Sequence, residues 1–223
     1  MDPTPTPHPL VWTSERIQRH FAFIRRSWPR DWPVEEDAHW RETARWIATQ
    51  VPLRGSTVLD YGCGEGRGGH RLAMDYACTV YGIDVEQATW SLDPLQGCVC
   101  SEVLEHLEDG PLAQAVRLIS QAVKPGGWLV VTTPHAEDLA PLERCCPACG
   151  AIFTLNQHVR SWTIPQMRAL WEAAGWRTAV CVATDLWGPP PWYRALRTLA
   201  RHVSRQTPIP MTRLLYVGWK ASG

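Results

Sequence analysis

Three clusters in this chain combine residue types that can do chemistry. Glu102, Glu105 and His106 stand at i, i+3 and i+4, the spacing that brings side chains onto one face of a helical turn. Two carboxylates and an imidazole gathered there offer hard oxygens and a borderline nitrogen to a divalent cation such as Mg²⁺. Without a cation, His106 is a candidate general base, because an unperturbed imidazole titrates near neutrality. Cys146 and Cys149, in Cys146-Pro147-Ala148-Cys149-Gly150, have the bite of a zinc knuckle. A structural zinc needs four ligands, and no second C-x-x-C exists, so Cys145, His135 or His158 would have to complete it. The third cluster is Asp60 with Gly62, Gly64 and Gly66, glycines at alternate positions that allow positive φ and close approach of backbone to a ligand.

The elements around these clusters follow from local pattern. Thr57-Val58-Leu59 is a short apolar strand running into the glycines, and His70 to Ala77 is helix-like. Strand, glycine turn and helix start make the first βα turn of a nucleotide-binding α/β domain. Thr79 to Ile83 forms a second strand ending at Asp84, about 20 residues beyond the glycines, where an acidic side chain accepts from ribose hydroxyls. The plainer reading of Asp84 is a turn residue or helix cap. Cys98 to Ser101 is the next core strand, and its carboxyl end, the edge where open α/β sheets bind ligands, delivers Glu102, Glu105 and His106. Leu112 to Val123 is helical. Lys124-Pro125-Gly126-Gly127 stops it, and Trp128 to Thr132 is a buried strand. Later come a helix at 164–174, a strand at 178–183, a helix at 191–204 and a last strand at 214–219. Before the glycine turn, residues 1–13 read as a disordered tail and 14–50 as a helical cap in two amphipathic pieces separated by Pro29 and Pro33.

The run D-x-G-x-G-x-G at Asp60–Gly66, the L-K-P-G-G stretch before a buried strand and the closing strand pair resemble class I S-adenosylmethionine methyltransferases. The resemblance runs from about Trp40 to Lys220. It implies a Rossmann-like, mostly parallel sheet, with the glycines and Asp60 seating the amino-acid tail of the cofactor, Asp84 its ribose and Ser101 lining the same cleft. The chain departs from the family between Asp84 and Gly97, too short for a full helix plus strand. The sheet is therefore expected to be shortened there, leaving Trp90 and Asp93 as candidates to meet adenine. The E-x-x-E-H run with a distant His158 resembles two groups, the ubiquinone-pathway O-methyltransferases and the small-RNA 2′-O-methyltransferases. That likeness implies a metal held by Glu102, Glu105, His106 and His158, with Glu102, His106 and His158 acting on the acceptor. In relatives without a metal, the glutamates would cap a helix and the imidazole line the pocket. The Cys146–Gly150 insert (residues 141–160) is similar to one in bacterial methyltransferases of polysaccharide and natural-product clusters. It reads either as a zinc-stapled loop or as a knuckle that binds nothing.

The whole chain of 223 residues carries 22 basic and 22 acidic side chains, a formal charge of zero. No basic footprint for nucleic acid or anionic membrane appears at that level, although Arg16, Arg19, Arg25, Arg26 and Arg30 could form a local patch. No apolar run approaches the ~20 residues of a membrane span, and no secretory signal opens the sequence. Eight cysteines without a signal argue for reduced thiols or metal ligands and a cytoplasmic location. The expectation is O-methylation of a small-molecule or glycan hydroxyl. The rivals are a non-catalytic, zinc-stapled scaffold of the same fold and an RNA 2′-O-methyltransferase.

Overall fold

Residues 6–27, 32–84, 93–184 and 213–222 are described by the computed structural model. The expectations for residues 1–5, Trp90 and the helix over 191–204 lie outside them. The chain order begins β1 (His8–Pro9), α1 (Ser14–Ser27), α2 (Trp32–Gln50), β2 (Thr57–Tyr61), α3 (Arg67–Tyr76), β3 (Thr79–Ile83) and β4 (Leu95–Ser101). It continues with α4 (Asp109–Ala122), β5 (Val123–Pro134), β6 (Glu143–Cys145), β7 (Ala151–Thr154), α5 (Ile164–Ala173), β8 (Trp176–Thr184) and β9 (Arg213–Lys220).

Six strands make the main sheet, in the order β3-β2-β4-β5-β9-β8. The first four run parallel, and β9 lies antiparallel to both β5 and β8. Among the described residues β3 is the edge strand, so the sheet is shortened on the side where the sequence lacks room. Strands in the middle are apolar on both faces, as a sheet covered on both sides requires. One face buries Leu104, Leu112, Leu118, Ile119, Met167 and Trp171 from the segments after β4 and from α4 and α5. The other buries Ala44, Ile47, Val58, Leu72, Trp128 and Val130.

The two N-terminal helices pack in different places. Ala44 and Ile47 of α2 are fully buried against the sheet, and Trp40 rests on Gly68 at the start of α3, where a Cβ would meet its ring at 2.5 Å. Helix α1 instead goes to the carboxyl edge. Its Phe21 ring meets His106 edge-on with centroids 5.5 Å apart, and His20 donates from Nε2 to the Leu155 carbonyl at 2.9 Å.

The tail expected at 1–13 is a correction in part. His8 and Pro9 pair in parallel with Ala151 and Ile152, giving a second, three-stranded sheet in the order β1-β7-β6. Leu10 continues the pairing by donating to the Ile152 carbonyl at 2.8 Å. Extended Pro-containing chain suits such an edge, where no N–H is demanded of proline. The insert thus carries a small sheet of its own.

Candidate active site

The glycine turn takes the strained backbone it was read for. Gly62, Gly64 and Gly66 have φ of 76°, 49° and 77°, the left-handed region that disfavours a Cβ. At Gly62 the demand is also steric, since a Cβ would stand 2.4 Å from Val103 Cγ2. That closeness joins the loop after β2 to the segment after β4. Asp60, at 3% exposure, accepts from the Gly69 N–H at 2.9 Å, one of the unpaired amides of the α3 N-terminus. Burial pushes its pKa up to about 6, against the opposing pull of that hydrogen bond. Asp84 sits exposed at the end of β3, beside the glycine loop, whose Gly62 and Cys63 N–H groups both donate to the Ile83 carbonyl. Cys63 packs against Gly82, and burial raises its pKa, which suits a filler and not a nucleophile.

Beyond β4 the chain turns sharply. Glu102 takes φ 55°, then a single 3₁₀ turn holds Leu104–His106. Glu105, His106 and His158 bring one ligand atom each to within 4.8 Å of one another. Glu105 is 1% exposed; its Oε2 accepts from Thr133 Oγ1 at 2.9 Å, while Oε1 is buried with no hydrogen-bond partner. His106 Nε2 is 3.9 Å from that oxygen. Burial, with the Glu102 charge next, pushes the Glu105 carboxyl well above the usual range. His106 is pushed down to about 3, first by burial and then by His158. A base that weak is a poor proton acceptor at neutral pH.

Glu102 lies beside this convergence with partners of its own. Its Oε1 accepts from Thr132 Oγ1 at 3.0 Å, and Arg213 Nε lies 3.0 Å from Oε2 as an ion pair. Burial still raises its pKa against the pull of Arg213. Of the four residues expected to share a metal, Glu105, His106 and His158 bring ligand atoms together, while Glu102 pairs with Arg213 beside them. Ser101 Oγ shares a 2.7 Å hydrogen bond with Thr132 Oγ1, in the same polar row.

The sequence reading missed the residue behind His158. Glu137 Oε2 accepts from His158 Nδ1 at 2.5 Å, a pairing that fixes the tautomer and leaves Nε2 free to act as ligand or base. The loop around His158 is stitched to the other side of the site. Val159 N–H donates to the Glu105 carbonyl at 2.9 Å, Gln157 Nε2 to the His106 carbonyl at 3.1 Å, and Arg160 Nε to the Leu107 carbonyl at 2.7 Å.

The methyltransferase-domain family matches residues 35–180, well over half the chain. The chain belongs to this family. It is accordingly an enzyme. A ubiquinone biosynthesis O-methyltransferase of Thiobacillus denitrificans is 30% identical over 116 residues, covering 40% of this chain and 49% of that protein; the match thus spans about half that relative's length. One of the same name from Xanthomonas campestris pv. campestris is 25% identical over 237 aligned residues, covering 90% and 95%. Among solved structures, the Burkholderia thailandensis 1,6-didemethyltoxoflavin-N1-methyltransferase has TM-score 0.60 at 16% identity, covering 98% of this chain and 94% of that one. At that identity the likeness is one of fold.

In this methyltransferase domain Asp93 is a correction. It lies just before β4, at the amino edge of the sheet, and eight residues at ~3.3 Å each separate it from Ser101 at the other edge. It cannot line the same cleft. A cavity of about 350 Å³ bordered by Arg177, Trp219 and Lys220 likewise lies at the far end of β5 from the site.

The knuckle stands apart as well. The backbone N–H groups of Cys149 and Ala148, then the Cys149 thiol, point at the Cys146 sulfur and lower its pKa. Cys145, Cys146 and Cys149 are free thiols, and His135 is bridged to Trp162. Among the described residues no third ligand group converges on the pair. Of the arginines suggested as a basic patch, Arg16 donates to the Val11 carbonyl and Arg19 pairs with Glu15. No helix among the described residues is long and apolar enough to cross a membrane.

Proposed function

We propose that this enzyme transfers a methyl group from S-adenosylmethionine to a hydroxyl oxygen of a small molecule or glycan, with a divalent cation at Glu105, His106 and His158. The observation that carries the reading is the unpartnered, buried Glu105 Oε1 beside two imidazoles. A buried carboxylate oxygen without a partner is costly, and a cation is the group that such a donor set fits. The carboxylate supplies a hard oxygen and the imidazoles neutral nitrogens; His106, held neutral by burial, needs no deprotonation to serve.

Bound S-adenosylmethionine supplies a methyl group on a positively charged sulfur. A cation at the three-residue site supplies charge that lowers the pKa of an acceptor hydroxyl. The rest falls to the chain. Gly62, Gly64 and Gly66 let backbone close on the cofactor's tail, Asp60 places negative charge beneath it, and Asp84 accepts from its ribose. Glu137 orients His158. Phe21, over His106, excludes water from the acceptor side. The O-methyltransferase relatives support the choice of oxygen as acceptor.

Two measurements test the reading separately. Titration calorimetry should show S-adenosylmethionine binding at micromolar affinity; no heat would remove the cofactor. Activity on a small-molecule or glycan hydroxyl acceptor should vanish in EDTA and return with Mg²⁺, Mn²⁺ or Zn²⁺. Full activity in EDTA would remove the cation and leave His158 as base.

A further inference from the structure

The methyl-transfer reading leaves Cys146 and Cys149 without a task. We propose that His8 joins them to bind one zinc ion, which fastens the N-terminal arm to the insert. The register of the small sheet carries this. Ala151 pairs with His8 on one side. On the other, one step beyond the Cys145–Ile152 pair, Cys146 N–H donates to the Ala151 carbonyl at 2.8 Å. Side chains of directly opposed residues stand on the same face of a sheet. His8, Ala151 and Cys146 therefore form one row, with a methyl group between the two ligand types.

The dimensions suit a metal. Two strand spacings of ~4.8 Å put the outer backbones about 10 Å apart. An imidazole and a thiolate leaning inward over alanine, with Zn–N of ~2.0 Å and Zn–S of ~2.3 Å, bridge that gap. Cys149 enters from the turn that the Gly150 N–H closes by donating to the Cys146 carbonyl at 2.8 Å. The backbone ties His8 to the knuckle itself, since its N–H donates to the Gly150 carbonyl at 3.0 Å.

The other candidate ligands fall away for stated reasons. Cys145 is one residue along β6 and so faces the opposite side. His135 follows β5 and lies outside the small sheet, and His158 converges with Glu105 and His106 instead. His8 needs one adjustment: its exposed ring donates Nδ1–H to the Thr6 carbonyl at 3.1 Å and must rotate inward. Binding releases the two thiol protons, and the fourth position is left to water.

The proposal is independent of the cation at Glu105, and its test reads the thiolates. Reduced full-length protein, its thiols counted beforehand, is titrated with Co²⁺ and then Zn²⁺. One equivalent of Co²⁺ should give a thiolate-to-cobalt charge-transfer band that Zn²⁺ abolishes. Cys149→Ser should lose the band, and His106→Ala, which touches only the carboxylate–imidazole site, should keep it. His8→Ala changes an exposed side chain, and should weaken Zn²⁺ binding by roughly tenfold or more, the scale of losing a partner at a metal centre. No thiolate band in the unaltered protein overturns the site. A smaller loss in His8→Ala overturns the part assigned to His8.

Discussion

Single side chains set the charge at which this site works. Asp60 is ionised above about pH 6, well above a free carboxyl. On the proposed function, a carboxylate at Asp60 would attract the ammonium of the cofactor, and the protonated acid would not. Affinity for S-adenosylmethionine should therefore fall as pH drops through about 6 and level off above it; calorimetry between pH 5 and 8 measures this. A flat profile would place the cofactor's ammonium away from Asp60. Glu137 acts through His158, from whose Nδ1 it accepts. Glu137→Gln keeps a hydrogen-bond acceptor but removes the charge behind His158, so Mn²⁺ affinity should fall by about 10–100-fold. Unchanged Mn²⁺ binding, followed by paramagnetic relaxation, would leave Glu137 a purely structural partner.

At the scale of elements, the turn after β2 is the least forgiving. In Gly62→Ala the new methyl meets Val103 at 2.4 Å on a backbone of φ 76°. Overpacking costs roughly 1–3 kcal/mol, with the left-handed strain added. Urea denaturation should show that loss, whereas Gly110→Ala, where a Cβ meets nothing within 4 Å, should not. The glycine turn was legible in the sequence because its demands are local: glycine is written wherever the backbone must be left-handed. The acidic turn after β4 was legible only in part: Glu105 and His106 converge with His158, but Glu102 at φ 55° leaves the helical face that its spacing predicted. The rest of the site was not, and the reason is geometric. Glu102, Ala136 and Gln157 also take positive φ, at 55°, 48° and 58°, each beside or within the site, with no glycine to announce the bend. Those bends bring Glu137 to His158 and swing Glu102 toward Arg213, pairings between residues 21 and 111 positions apart. The β1 pairing escaped notice for a similar reason, because parallel partners 143 positions apart leave no trace in either segment alone.

Across the whole molecule, β9 comes last in chain order among the strands yet lies inside the sheet, between β5 and β8. A chain stopped before Arg213 would leave β8 without its neighbour and both β5 and β8 with open edges. It should show no cooperative unfolding transition by circular dichroism; a sharp one would mean that the parallel half folds alone. This placement has a consequence for how the protein is made. The parallel strands, the glycine turn and the acidic cluster all leave the ribosome before the strand that completes their sheet. Arg213, the countercharge to Glu102, arrives on that strand. Until β9 is made, a nascent chain therefore exposes a half-built sheet and a Glu102 carboxylate without its Arg213 countercharge.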